Sequence, residues 1–343
     1  MAKANLKQIT SFGEVMMRLE VPSHLTLSQS RSLNYSFTGT GVNVVAALIK
    51  LGHQGAIVTT LPSNSLGDAA EASLRGLGFQ MEYVRREGQL LGSYFLETGY
   101  GPRKSKVTYA SRKNSSFNSA SRDVYDHLPV AKESDYFHLC GIGLAMNEEI
   151  RYQMKTLAGE VKSQGGTVVF DCNFRASLWS EEEKKQAKHH YEDMLRLSDI
   201  VMMNERDAIS LLGYEASSDD RLDQIKELIP RIAEDYHIRV ISGTQRTIEA
   251  DGHSIQGFLY RKETGGMTFG KPMRVQVLDR IGAGDAYTAG IIHGEICGYD
   301  PGYTVQYATA ASVLAHTIIG DTALSSEEDI LQVMNELVLD IER

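Results

Sequence analysis

The sequence predicts an α/β fold: a doubly wound, mostly parallel sheet with helices on both faces and a small antiparallel β lid. Three observations carry that prediction. Short apolar runs alternate with amphipathic stretches through most of the 343 residues, as buried parallel strands and their covering helices do. Two separate stretches break the rhythm with period-two alternation around Gly and Pro turns. No internal repeat, low-complexity tract or long linker divides the chain, so residues 1–343 are expected to form one domain.

In chain order, Val15–Phe37 is the first alternating stretch. Residues 36–52, SFTGTGVNVVAALIKLG, form a glycine-rich turn that runs into an amphipathic helix through Val44, Ala47, Leu48 and Leu51. Gln54–Leu61 follows as an apolar strand and Ala69–Gly76 as a helix. Val84–Tyr109 is the second alternating stretch, clearest in Ser93-Tyr94-Phe95-Leu96-Glu97 and Lys106-Val107-Thr108-Tyr109. The lid is therefore expected from discontinuous segments, approximately 15–37 and 84–115. Ser134–Leu139, Thr167–Phe170, Ile200–Met203 and Arg239–Ser242 read as buried strands. Glu148–Ser163, Glu181–Leu197 and Leu222–Tyr236 read as helices between and after them, with Ser180 and Glu183 forming a capping box for the second. Ligands in such a sheet collect at the C-terminal ends of the strands.

Composition narrows the class. Hydrophobic residues make up 42% and charged residues 23% of the chain, as in a folded soluble protein. A net charge of −9 argues against non-specific nucleic-acid binding, and an anionic substrate would need a local basic pocket. Cys140, Cys172 and Cys297 are widely spaced, without a C-x-x-C pair, so neither a disulfide frame nor a thiolate metal site is expected. The N-terminal MAKANLKQIT has no apolar leader core, and no apolar run is long enough to span a bilayer. The expected location is cytoplasmic.

The run VLDRIGAGDAYTAG, residues 277–290, is the most informative. A strand-like lead-in ends in a tight glycine turn, and small residues then open a helix. Gly282, Ala283 and Gly284 leave backbone N–H groups unobstructed at a helix N-terminus, which suits an anion. Asp285 follows in the first turn, where a lone carboxylate can accept a hydroxyl proton. An anion cradle beside one base suits phosphoryl transfer to an alcohol. On these residues alone, a structural glycine turn with a first-turn aspartate explains the run equally well.

The whole string Asp279-Arg280-Ile281-Gly282-Ala283-Gly284-Asp285 resembles the D-x-x-G-A-G-D signature of the ribokinase-like (PfkB) carbohydrate kinases. The resemblance extends over about residues 8–335 and implies a ribokinase-like fold, with ATP and Mg²⁺ as cofactors. It makes Asp285 the catalytic base and the turn at Gly282, Ala283 and Gly284 the hole for the developing phosphate charge. Gly39, Thr40, Gly41, Val42 and Asn43 occupy the family's N-terminal sugar-contacting turn, with Thr38 where a first Gly is common. This run lacks the lysine of a P-loop. Asn173 and Arg175, in D-x-N-x-R-x-x-L-W from Asp171, resemble a stretch that reaches substrate and nucleotide in 2-keto-3-deoxygluconate kinases and related fructokinases. Asn204 and Asp207 stand at the family's N-x-x-E, linked to Mg²⁺ through water, with Asp207 one methylene shorter. Ser242 and Gly243 match the turn beside the nucleotide phosphates, although Arg246 and Thr247 replace its usual closing Gly. Tyr307 and Ala311 are the candidates for the adenine wall.

The substrate reading rests on fewer residues. Tyr94, Tyr109, Arg112, Arg175 and Asp321 resemble the substrate-binding set of 2-keto-3-deoxygluconate kinases, with Ala110 where a second aromatic is usual. A buried sugar carboxylate needs cations with satisfied geometry. The implied activity is ATP-dependent conversion of 2-keto-3-deoxygluconate, a sugar acid, to its 6-phosphate. The alternatives are a kinase for a neutral ketose of fructose, tagatose or ribose type, and a non-catalytic sugar sensor, which would not need Asp285. Partners are expected to be sugar acid and ATP, with neither nucleic acid nor membrane. A homodimer or higher homo-oligomer through the lid is also expected. Participation of a monovalent cation stays open, as does the epimer of the sugar acid.

Overall fold

The computed structural model describes residues 6–249 and 252–335; the first five residues of the N-terminal stretch read for a leader lie outside that range. The chain opens with β1 (Gln8–Phe12), enters a second sheet as β2 (Met16–Glu20) and β3 (Asn34–Thr38), and returns through α1 (Thr40–Lys50) to β4 (Gln54–Leu61). After α2 (Ser65–Gly76) and β5 (Val84–Arg86) it re-enters the second sheet as β6 (Ser93–Glu97) and β7 (Lys106–Ala110). The main layers then continue with α3 (His127–Glu133), β8 (Tyr136–Cys140), α4 (Glu148–Ser163), β9 (Thr167–Asp171), α5 (Glu181–Leu197), β10 (Ile200–Met202) and α6 (Arg221–Asp235). The last part holds β11 (Val240–Glu249), β12 (Gly252–Arg261), β13 (Gly266–Phe269), β14 (Met273–Val275), α7 (Ala283–Cys297), α8 (Pro301–Ala315) and α9 (Glu327–Met334).

The main sheet has the order β13-β12-β11-β10-β9-β8-β1-β4-β5, with β14 beside β12. Every pair from β5 to β11 is parallel. Alternate residues of one strand feed two cores. Val168 and Phe170 pack with α3–α6 on one face, whereas Val169 packs with α1, α2, α7 and α8 on the other. That two-sided burial explains why these strands read as unbroken apolar runs. The predicted helices 148–163 and 181–197 coincide with α4 and α5, and the capping box at Ser180 is formed.

Three features differ from the sequence expectation. First, Val84–Arg86 pairs with β4 in the main sheet, so the second lid segment begins at β6. Second, the small sheet β3-β2-β6-β7 has antiparallel outer pairs but a parallel central pair, β2 with β6. Both central strands follow the C-terminal ends of parallel strands of the main sheet, β1 and β5, and they run side by side in one direction. Antiparallel pairing arises only where a local connection reverses the chain. Third, the strand expected to stop at Ser242 continues to Glu249 and pairs antiparallel with β12. Its polar outer half hides the extension from an apolar-run reading.

Candidate active site

The strand ends and the inner face of the small sheet enclose a cavity of about 570 Å³. Two glycine turns face each other across it. At Gly282 the backbone has φ +85°, and a side-chain Cβ would stand 1.8 Å from the Asp321 carbonyl oxygen. Only glycine fits this left-handed, crowded position. Asp279 fixes the lead-in, its Oδ1 accepting from the backbone N–H of Arg280 (2.7 Å) and Ile281 (3.1 Å). α7 then starts, and its first-turn amides have no partner within the helix. On the other side Gly39 brings its backbone against β1's end, where a Cβ would lie 2.2 Å from the Glu14 carbonyl oxygen.

Asn43, near the start of α1, joins the turns by donating from Nδ2 to Asp285 Oδ2 at 2.7 Å. Its Oδ1 accepts from Thr322 Oγ1 (2.9 Å) and lies 3.0 Å from Thr38 Oγ1, so the amide orientation is fixed at both ends. The Thr38 hydroxyl also lies 2.9 Å from Asp321 Oδ2, and its single proton serves one of these acceptors at a time. Tyr94 on β6 donates to Asp321 as well. Behind them Arg18 on β2, 1% exposed, pairs with Asp321, with Asp279 at 2.7 Å and with Glu20 at 2.8 Å. The small sheet is thereby tied to both ends of the glycine-turn region.

Three cavity carboxyls are hard to ionise. Burial pushes Asp285 up to about 8, helped by Asp171 and Asp321 and opposed by Asn43 and Arg175. Burial and the charge of Asp207 push Asp171, at the end of β9, up to about 7. Asp207 rises to about 6 through burial, against a hydrogen bond from the Asn204 backbone N–H at 3.0 Å. Asn204 Oδ1 accepts from Arg206 N at 2.8 Å, and the chain continues into a π turn at Asp207–Leu211.

The cations gather at Tyr109 on β7. Arg112 lies over its ring, with Cζ 4.9 Å from the centroid, and Arg175 Nη1 donates to its hydroxyl at 3.2 Å. Arg175 Nε also donates to Asn173 Oδ1 at 3.2 Å. Arg112 already has a partner: its Nε donates to Glu14 Oε2 at 3.0 Å. Ser115 and Asn118 donate to the other Glu14 oxygen at 2.6 and 3.2 Å. Burial pushes the Glu14 carboxyl up, and Arg112 chiefly opposes that shift.

The cavity therefore unites Gly39, Thr40, Gly41, Asn43, Tyr94, Tyr109, Arg112, Asn173, Arg175, Asn204, Asp207, Gly243, Gly282, Gly284, Asp285 and Asp321. Five expected residues lie elsewhere. Val42 and Ala283 are packed beneath the two turns. Ser242 is fully buried, its hydroxyl 2.7 Å from the Phe258 carbonyl oxygen. Tyr307 is fully buried and stacked 5.4 Å from His293, and Ala311 packs against Ile330 of α9. Neither residue expected at the adenine wall, Tyr307 or Ala311, lines this cavity, because that face of α8 is turned into the core. α8 is apolar around most of its circumference, the pattern of a buried helix, and this signal pointed inward. Sequence reasoning missed Glu14, Arg18 and Arg280. Glu14 carried a usable signal, a carboxylate just past the end of an apolar strand.

Known proteins resemble this chain over nearly its whole length. The profile of the pfkB family carbohydrate kinases matches residues 6–328. A 2-dehydro-3-deoxygalactonokinase of Haloferax volcanii is 26% identical over 329 residues, covering 95% of this chain and 96% of its own. The solved 2-dehydro-3-deoxygluconokinase of Thermotoga maritima is 31% identical with a TM-score of 0.89, covering 96% of this chain and 99% of that one. A solved Enterococcus faecalis protein, described as a candidate 2-keto-3-deoxygluconate kinase, is 35% identical with a TM-score of 0.94, covering 98% and 99%.

Proposed function

The chain belongs to the pfkB family of carbohydrate kinases, and from that premise we propose that it moves the γ-phosphoryl group of ATP to the terminal primary hydroxyl of a sugar acid. The favoured substrate is 2-keto-3-deoxygluconate, giving its 6-phosphate. The observation that carries this reading is the meeting of Arg112 and Arg175 at Tyr109, in the cavity that also holds the Asn43–Asp285 pair. Two guanidinium groups at one wall suit a carboxylate, and a carboxylate at one end leaves the far hydroxyl for Asp285. The relatives named for sugar acids support the same substrate class.

Asp285, held by Asn43, takes the hydroxyl proton as the hydroxyl oxygen bonds to phosphorus. The bond from phosphorus to the bridging oxygen breaks, and ADP leaves with the electron pair. The amides of Gly282, Ala283 and Gly284 hold the charge that grows on the transferring oxygens. Asn204, Asp207 and Gly243 border the path of the other phosphates. Asp171 and Asp207 fit Mg²⁺, since a cation would relieve two carboxyls that burial disfavours as anions. No cluster of three ligating side chains exists among the described residues, and Mg²⁺ usually relies on one or two carboxylates, water and phosphate. When bound it would neutralise phosphate charge.

One observation favours the neutral-ketose reading: Arg112 is already paired with Glu14. ATP turnover across a panel of sugar acids and neutral ketoses decides between them. The expected result is a clear preference in kcat/KM for an acid; a preference for fructose or tagatose would reverse the proposal. Association through the small sheet belongs to the same reading. Its edge strands β3 and β7 are open, and Tyr35 on β3 is 65% exposed.

A further inference from the structure

Three cationic side chains line the cavity: Arg112, Arg175 and Arg280. Arg112 is paired with Glu14, and Arg175 donates to Tyr109 and Asn173. Among the described residues, Arg280 is exposed and its side chain has no hydrogen-bond or ion-pair partner, although its backbone N–H is held by Asp279. The neighbouring carboxylate of Asp279 is engaged by Arg18 instead. Its charge reaches two basic neighbours: burial chiefly holds Arg246 and His316 below their usual pKa ranges, and Arg280 adds to both shifts. An unpaired guanidinium flanked by like charge is stabilised by an anion. It stands two residues before Gly282, in the turn that opens α7.

We propose that Arg280 is a further catalytic residue that grips the transferring γ-phosphoryl group beside the Gly282–Gly284 amides. The inference rests on the kinase reading of this turn but not on which sugar is phosphorylated. Arg280 supplies charge only: it keeps its protons while phosphorus changes oxygen partner and Asp285 takes the hydroxyl proton. The anionic oxygen it meets could instead belong to a substrate carboxylate. Its place in the phosphoryl turn, rather than beside Tyr109, favours phosphate.

Arg280→Gln and Arg280→Lys test the assignment, with thermal unfolding as the check on folding. Because the side chain is exposed and unpaired, both variants are expected to unfold at the parent temperature. Arg280→Gln is expected to lower kcat about 10- to 150-fold, the loss of one hydrogen bond to a charged group. The factor should be equal for a sugar acid and a neutral ketose, and Arg280→Lys should recover part of it. The ratio of ATP to ADP affinity, measured by calorimetry with Mg²⁺ and no sugar, should fall in the Gln variant. An unchanged ratio, a parent-like kcat, or a loss confined to the acid would overturn the assignment. The nucleotide arm needs no turnover, so it still reads Arg280 if the sugar-acid proposal fails in the parent enzyme.

Discussion

Arg112 enters the cavity bound to Glu14 by one nitrogen, which leaves the terminal pair of its planar fork for a ligand. If the substrate is a sugar acid, Arg112→Leu removes a charge-assisted partner from its carboxylate. The same change would strand Glu14, 6% exposed, as a buried unpaired carboxylate. The measurement is therefore made in Arg112→Leu combined with Glu14→Gln. A fall in kcat/KM of about 10- to 150-fold is expected for the acid, and far less for a ketose. Equal losses would count against the carboxylate clamp. Much of this residue-level picture was legible from motifs, including Asp285, Asn43 and the Tyr109–Arg112–Arg175 group. The partners of those residues were not legible. Glu14 lies 98 positions from Arg112, and Arg18 lies 303 from Asp321; such pairings depend on how the two sheets dock.

At the scale of elements, the glycine turns and strand ends were readable because local chemistry sets them. α4 and α5 announced themselves through caps and amphipathic spacing. α7 and α8 did not, because small residues let them pack closely: a Cβ on Gly290 would stand 2.6 Å from the Ala308 Cα. A helix buried on most sides carries no stripe to say which face meets a ligand, so the sequence did not show that Tyr307 and Ala311 face the core. The parallel β2–β6 pair was hidden for another reason. Period-two alternation marks a strand with one covered face but not the direction of its neighbour.

For the whole molecule, the two sheets have separate jobs that converge at one cavity. The elements of the main sheet supply the glycine turns and the buried carboxyls Asp171, Asp207 and Asp285. The small sheet supplies Tyr94 and Tyr109, and it is tied back through the buried Arg18. Four strands with open edges and little core of their own gain stability by covering those edges. Light scattering at working concentration is expected to give a dimer or a multiple of it; a monomer with full activity would contradict association through this sheet. No described helix is long and apolar enough to cross a membrane.

The central claim is that Asp285 accepts the substrate proton in this cavity. Its carboxyl, pushed up to about 8 by burial, must lose its proton to act as a base. Activity should therefore fall as pH drops through that value and rise to a plateau above it, because kcat/KM reports the free enzyme. Asp171 and Asp207, at about 7 and 6, titrate below it and shape only the lower part of the profile. The most direct measurement is kcat/KM against pH for the parent and for Asp285→Asn. The account predicts a parent profile with a limb near pH 8, and a variant at least about 10²-fold slower that has lost that limb. A variant with near-parent rates and the same limb would contradict it.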